Sequence, residues 1–226
     1  MLVRFTEEFL QFYIDLAANN NKVWFDVNRK RYEQNVKIPF KLFVSDLLAD
    51  FSAIDLSFKS VEAASCIFRI NRDVRFAKDK TPYKLMSSAV ISSMGKSKGF
   101  TDGIYLELSP EDVRVYGGIY QLDTDQIYMV RAGIASRIQE FKSICTESKF
   151  IEKFGSILGE KNKVIPKEFR QAANEIPLLY NKQWYFYTTY PAEFILSPHF
   201  RQQVVNDYKL MLPIEHFFKS IINENK

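Results

Sequence analysis

The stretch I-Y-L-E-L-S-P-E-D-V-R-V-Y-G-G, Ile104 to Gly118, decides how this chain is read. Ile104–Leu108 and Val113–Gly117 are short runs of strand-forming residues, and Ser109-Pro110-Glu111-Asp112 between them is turn-forming. Two short strands joined by so tight a turn pair antiparallel, because parallel pairing requires a long crossover. Ala89–Ser93 is a third short strand, followed by the turn-forming Gly95-Lys96-Ser97-Lys98-Gly99. Upstream, Cys66, Phe68 and Ile70 alternate with Ser65, Ile67, Arg69 and Asn71, which predicts another strand.

On either side the period becomes helical. Thr6 is placed to cap a helix with Glu7 and Glu8 in its first turn and Phe9, Leu10, Phe12, Tyr13 and Leu16 on one face. Asn19-Asn20-Asn21 ends it. A second helical stretch carries Phe25, Tyr32 and Val36, and Pro39 either kinks it or opens a third through Phe40, Phe43, Leu47, Leu48 and Phe51. After the strands, Asp123 or Thr124 caps a helix with the stripe Ile127, Val130, Ile134, Ile138 and Phe141. Thr146 opens another through Phe150, Phe154 and Leu158, stopped by Gly159. The loop with Pro166 and Pro177 leads into an extended Trp184–Tyr187, and helices follow Pro198 and lie near Pro213. The expectation is one α+β domain over 1–226, with N- and C-terminal helices packed on an antiparallel sheet.

With 226 residues, 46% hydrophobic and 15% aromatic, the chain can bury a large core. No apolar run reaches the roughly 20 residues a membrane span needs, and the opening M-L-V-R-F-T-E-E-F-L, with Glu7 and Glu8 and no basic region before an apolar stretch, is not expected to act as a signal peptide. Cys66 and Cys145 form neither a disulfide framework nor a metal-ligand spacing, so a cytoplasmic protein with two reduced thiols is expected, without metal, cofactor or membrane partner.

The charge is concentrated. Arg69–Lys84, R-I-N-R-D-V-R-F-A-K-D-K-T-P-Y-K, holds six of the 31 basic and two of the 27 acidic residues, leaving 25 of each elsewhere. The whole formal excess of +4 lies in this segment. If a strand persists to Phe76, Cys66, Phe68, Ile70, Arg72, Val74 and Phe76 share one face, and Ile67, Arg69, Asn71, Asp73 and Arg75 the other. The second face is a polar row with neighbours about 7 Å apart, suited to an anion with several oxygens because guanidinium donors grip such groups in pairs. Arg72 falls on the apolar face, where a bulge re-aims it or an acid pairs with it. Lys78, Lys80 and Lys84 ring the mouth of the following turn, and Tyr83 offers a hydroxyl and a ring. Arg131 lies at about 40° from Ile127 on its helix, at the edge of the apolar stripe, as a core-lining arginine or as the completion of an anion site. Asp73 among arginines reads as an ion-pair partner more than a base. The row can equally be structural, since strand charges pair across strands and lysine-rich turns blunt sheet edges. Gly95-Lys96-Ser97 lacks the context of a phosphate loop, and His199, His216 and the serines lack catalytic spacing.

The string Arg69-x-x-Arg72-Asp73-x-Arg75-Phe76-x-Lys78-Asp79-Lys80-x-Pro82-Tyr83-Lys84 resembles the hallmark of the bacterial domain of unknown function 2461 family. Asn20-Asn21-x-x-Trp24-Phe25, Tyr32, Gly117-Gly118-x-Tyr120 and Val130-Arg131-x-x-Ile134 extend the resemblance. Glu168 departs from it, standing where that pattern has glycine. The resemblance implies a single cytosolic α+β domain and weights Gly118, Arg131 and the charged residues of 69–84, but it brings no activity. Three functions follow as expectations. The first is binding of a phosphorylated or carboxylated small molecule, with or without chemistry on it, by Arg69, Asn71, Asp73, Arg75, Lys78, Lys80, Tyr83, Lys84 and Arg131. The second is a nucleic-acid module using the same surface with Tyr83, Phe100 and Tyr116. The third is a structural or protein-interaction role in which Arg72, Arg75 and Asp79 form an internal ion-pair network.

Overall fold

A computed structural model describes residues 4–96 and 102–223. Its helices are α1 (Glu7–Ala18), α2 (Lys22–Val27), α3 (Arg29–Tyr32), α4 (Ile38–Ser52), α5 (Ala63–Cys66), α6 (Thr124–Ser136), α7 (Ile138–Cys145), α8 (Ser148–Phe154), α9 (Arg170–Glu175) and α10 (Phe200–Asn223). The strands β1 (Ser87–Ile91), β2 (Ile104–Leu108), β3 (Asp112–Ile119) and β4 (Trp184–Pro191) form one antiparallel sheet in the order β1-β2-β3-β4, flanked by N- and C-terminal helices. The fold is α+β, as expected. The turn between β2 and β3 is built by Ser109, whose Oγ accepts from the N–H groups of Glu111 and Asp112.

The chain divides into two compact units: Met1–Lys96 with Tyr105–Val115 and Thr189–Val205, and Ser97–Ile104 with Tyr116–Thr188 and Asn206–Lys226. In the first, Phe9, Phe12, Tyr13 and Leu16 of α1 are buried, as the spacing requires. Asn21 caps α2 by accepting from Trp24 N–H at 3.0 Å. Pro39 opens α4 without interrupting the helical path. A π-turn over Glu33–Lys37 precedes it, in which Ile38 N–H bonds the carbonyl of Glu33. A five-residue loop-back of this kind accommodates a proline that has no N–H to offer. Helix α4 packs on α5 and on β1, all of whose residues are buried. Tyr13 meets Ser87 at 2.7 Å inside this core. Arg4 pairs with Asp46 at 2.8 Å and Arg201 with Asp50 at 2.6 Å, while Phe43 and Phe200 stack at 4.9 Å.

In the second unit, Asp123 and Gln126 close a reciprocal capping box at the start of α6. The expected long stripe is split, because Arg137 leaves helical geometry and Ile138 starts α7. Helix α8 ends at Gly155, with φ at +71°, and not at Gly159. Beyond it Leu158 forms an antiparallel bridge to Tyr185. A single helix, α10, replaces the two expected around Pro213, which lies inside it. A proline in a helix costs about 3 kcal/mol. Burial of Met211, Ile214, Phe217 and Phe218 beside it offsets that, each being worth about 1.5–3 kcal/mol. Gly118 has φ at +96°, and a Cβ there would lie 2.2 Å from the carbonyl oxygen of Trp184. Both facts demand glycine.

Helix α10 also carries a buried acid. Glu215 accepts from Gly103 N–H at 2.7 Å and from the Tyr208 hydroxyl at 3.2 Å, with Asp102 and Lys219 near it. Burial pushes its carboxyl up to about 7; the Gly103 N–H opposes this and the charge of Asp102 adds to it. The folded protein therefore holds this proton more tightly than the unfolded chain. The resulting stability is complete below the ordinary value of 4.5 and is lost as pH rises through about 7. Urea unfolding at pH 5 and pH 8 should show a loss of up to about 3 kcal/mol that Glu215→Gln removes. Equal pH dependence in the two proteins would contradict this.

Candidate functional site

The basic segment begins as the extended exit from α5. Ile67 bridges Ala89, and Phe68 N–H bonds the carbonyl of Ser88 at 3.0 Å. The expected strand from Cys66 to Phe76 is thus cut at both ends. Cys66 closes a helix, and regular pairing stops once the segment turns back on itself. Lys84 N–H bonds the Ile70 carbonyl and Arg72 N–H the Pro82 carbonyl, both at 2.8 Å, around an antiparallel Asn71–Tyr83 bridge. The two arms form a hairpin with residues 73–81 as its loop.

Tyr83 anchors the hairpin. Its N–H donates to Asn20 Oδ1 at 3.1 Å, and its carbonyl accepts from Asn20 Nδ2 at 2.9 Å. The side-chain amide of Asn20 thereby pairs with Tyr83 as a neighbouring strand would. The Tyr83 ring, 5% exposed, stacks on Phe25 at 4.1 Å. A core role therefore accounts for this tyrosine.

The loop is braced from within. Asp79 accepts from Thr81 N–H and from Thr81 Oγ1, both at 2.9 Å, and from Arg72 at 2.5 Å. Arg72 also donates to the hydroxyl and carbonyl of Thr81. The Thr81 N–H first, then the Arg72 guanidinium, hold the Asp79 carboxyl down at about 2. Arg72 is thus half-buried and paired with an acid, one of the two outcomes expected for it. Lys80 Nζ donates to the carbonyls of Val74 at 2.9 Å and Arg75 at 3.4 Å. Arg75 forks onto Asp73, Nε at 3.0 Å and Nη2 at 2.7 Å, and this pairing holds the Asp73 carboxyl below its ordinary range.

The alternation of exposure survives. Arg69, Asn71, Asp73 and Arg75 are exposed, Ile70 is buried, and Arg72 and Val74 are half-buried. Phe76 overturns the pattern: expected on the apolar face, it is 95% exposed, because the loop has left the sheet before reaching it.

Four of the six cations, Arg69, Lys78, Lys80 and Lys84, make no hydrogen bond or ion pair to a side-chain acid among the described residues, and of these Lys80 is taken up by two carbonyls. Lys84 is half-buried, its ammonium 5.1 Å from the centre of the Phe68 ring. Burial first, then the charge of Arg69, push its pKa down, while Glu107 pulls the other way. Glu107, with Leu85, Met86, Asp112 and Arg114, lines a cleft of about 220 Å³. A larger cleft of about 500 Å³ lies between α4 and residues 58–64, and neither cleft is lined by a residue of the basic segment. Lys78 is exposed at the loop.

Arg131 belongs to the second unit, whereas every other residue of the expected set belongs to the first. It is 5% exposed, and donates from Nε to the Leu179 carbonyl at 2.8 Å and from Nη2 to that of Asn181 at 3.0 Å. These bonds hold the approach to β4. Glu168 lies in a 3-10 turn and accepts from the Tyr128 hydroxyl at 3.3 Å. Gly95 and Lys96 close the turn after β1, with Gly95 at φ +61°; Ser97, Lys98, Gly99 and Phe100 lie outside the described residues. Among the described residues no group of three or more His, Cys, Asp or Glu could hold a metal, and no helix is long and apolar enough to cross a membrane.

Spacing alone missed Glu107, Asn20 and Phe76. The alternation of β2 could have placed Glu107 on the open face with Tyr105. The other two depend on where the hairpin folds back, which has no sequence period.

These elements define a mixed helix-and-sheet protein whose antiparallel sheet is flanked by a braced basic hairpin. The chain belongs to the family described as Conserved hypothetical protein (DUF2461), which matches residues 8–217. No curated protein and no solved structure shows detectable similarity to it.

The brace is open to direct test. NMR titration of the Asp79 carboxyl should give a midpoint near 2, and Arg72→Ala should move it towards the ordinary carboxylate value of about 4. A midpoint near 4 in the unaltered protein would show that Asp79 is not held this way.

Proposed function

We propose that the hairpin of residues 69–84 binds an anionic small molecule, phosphorylated or carboxylated, between Arg69 and Lys84. The observation that carries this reading is the pairing of two like charges. Lys84 is half-buried beside Arg69, and neither has a hydrogen-bonded acid among the described residues, although each costs the other electrostatic energy. An anion with two or more oxygens would accept from both and relieve that repulsion. Arg69 supplies a planar donor pair and Lys84 a compact charge. Asn71, exposed and of the same parity as Arg69 on its arm, offers an amide to a further oxygen.

The remaining charges divide by role. Arg72, Asp79, Lys80 and Thr81 hold the loop in shape, and Arg75 is neutralised by Asp73. The internal ion-pair network weighed from sequence accordingly describes the loop but leaves Arg69 and Lys84 unexplained. Glu107 faces the pair as a carboxylate that would order a ligand hydroxyl or repel a second negative group.

Thermal denaturation with inorganic phosphate, a nucleoside monophosphate and citrate tests the proposal. At least one should raise Tm in a saturable way, a stabilisation of about 1.4 kcal/mol at ten times its Kd. Arg69→Ala and Lys84→Gln should each abolish the rise. No saturable rise with any of the three, or a rise that both variants retain, would refute it.

A further inference from the structure

Phe76 presents a problem the anion site does not solve. It is more exposed than any other large apolar side chain among the described residues, and it stands near the apex of a loop held by internal hydrogen bonds. The bracing bonds are directed at the backbone. Lys80 occupies the carbonyls of Val74 and Arg75 on the near side of the apex, Ala77 N–H bonds the Val74 carbonyl, and Asp79 with Arg72 fixes the far side. Val74 and Ala77 turn inwards and are half-buried, whereas Phe76 between them turns out. An aromatic ring displayed on a braced turn is pre-organised for a partner, since little further ordering is lost on binding.

The surroundings state the chemistry of that partner. The Arg75 guanidinium lies 5.9 Å from the Phe76 ring centre, Lys78 is exposed two residues on, and Arg69 acts electrostatically on Asp73 beside Arg75. The fitting partner carries both negative charges and flat apolar rings. We infer that Phe76, with Arg69, Lys78 and Lys84, binds single-stranded nucleic acid, one base stacking on the ring and the flanking phosphates lying against the cations. This reading rests on the anion site and extends it from a free anion to the phosphates of a polymer. A duplex keeps its bases stacked on one another and offers the ring no face. An anionic bilayer is the poorer match. One ring without an apolar neighbour at the apex inserts weakly, and Asp73 and Asp79 would be pressed towards negative headgroups.

Fluorescence anisotropy with a labelled single-stranded 12-mer, as RNA and as DNA, tests the inference on the full chain. Binding should weaken as salt rises, with a log–log slope of about −2 or steeper. Phe76→Ala should weaken it about tenfold at every salt concentration and leave the slope unchanged, while Phe76→Tyr should restore it. Lys78→Ala should make the slope shallower by about 0.7. Because Phe76 lies outside the anion pair, Phe76→Ala should keep the Tm rise given by inorganic phosphate or the nucleoside monophosphate. Absence of oligonucleotide binding alongside a retained phosphate effect would overturn this inference and leave the anion site standing. Loss of both would remove the two together. Oligonucleotide binding indifferent to Phe76→Ala, or sedimentation with phosphatidylserine vesicles that Phe76→Ala abolishes, would overturn it in favour of another use of the loop.

Discussion

The amide of Asn20 against the backbone of Tyr83 determines where every charge of the basic hairpin stands. Those two hydrogen bonds, with the Tyr83 ring laid on Phe25, fix one arm to the loop between α1 and α2. The other arm follows by main-chain pairing, through Ile70, Asn71 and Arg72. Only with the arms so held do Arg69 and Lys84 come within range of each other. The buried anchor also outweighs the surface charges energetically. A stacked, nearly buried tyrosine contributes a few kcal/mol, whereas solvent screens an exposed ion pair such as Arg75 with Asp73.

From that anchor the charges separate into those committed inside the protein and those that are not. Asp79 organises the distal half of the loop through a backbone N–H, a hydroxyl and a guanidinium, and Lys80 closes the proximal half on two carbonyls. Such bonds satisfy main-chain groups that a tight turn leaves without partners. Arg69 and Lys84 perform no such task, and the repulsion between them is opposed through space by Glu107 at Lys84 and by Asp73 at Arg69. Arg131 meets the opposite fate in the second unit, buried with its donors on two carbonyls.

What the sequence disclosed follows the reach of its signals. The β2–β3 hairpin was plain because Ser109-Pro110-Glu111-Asp112 has one sensible conformation between two strand-like runs. The parity of Arg69, Asn71, Asp73 and Arg75 was readable because extended chain alternates whether or not it is paired. Arg72 stands out on the apolar parity for the same reason, and Asp79 answers the anomaly. The failures lie where tertiary contacts override local pattern. Pro213 reads as a boundary, yet α10 runs through it because its flanks are buried. Gly155, not Gly159, ends α8, and either glycine would have served locally. Phe76 reads as core by hydrophobicity and parity, and only the reversal of the chain exposes it. Glu215 gave no warning, since an isolated glutamate near the end of an amphipathic helix is ordinarily solvated.

The charge state of Lys84 tests the central claim most directly. Its ammonium can be titrated by NMR in the free protein, in Arg69→Gln and with saturating inorganic phosphate. On this account the pKa lies below the ordinary lysine value in the free protein and rises both when Arg69 is neutralised and when phosphate is added. A Lys84 that titrates at the ordinary value and responds to neither change would contradict it.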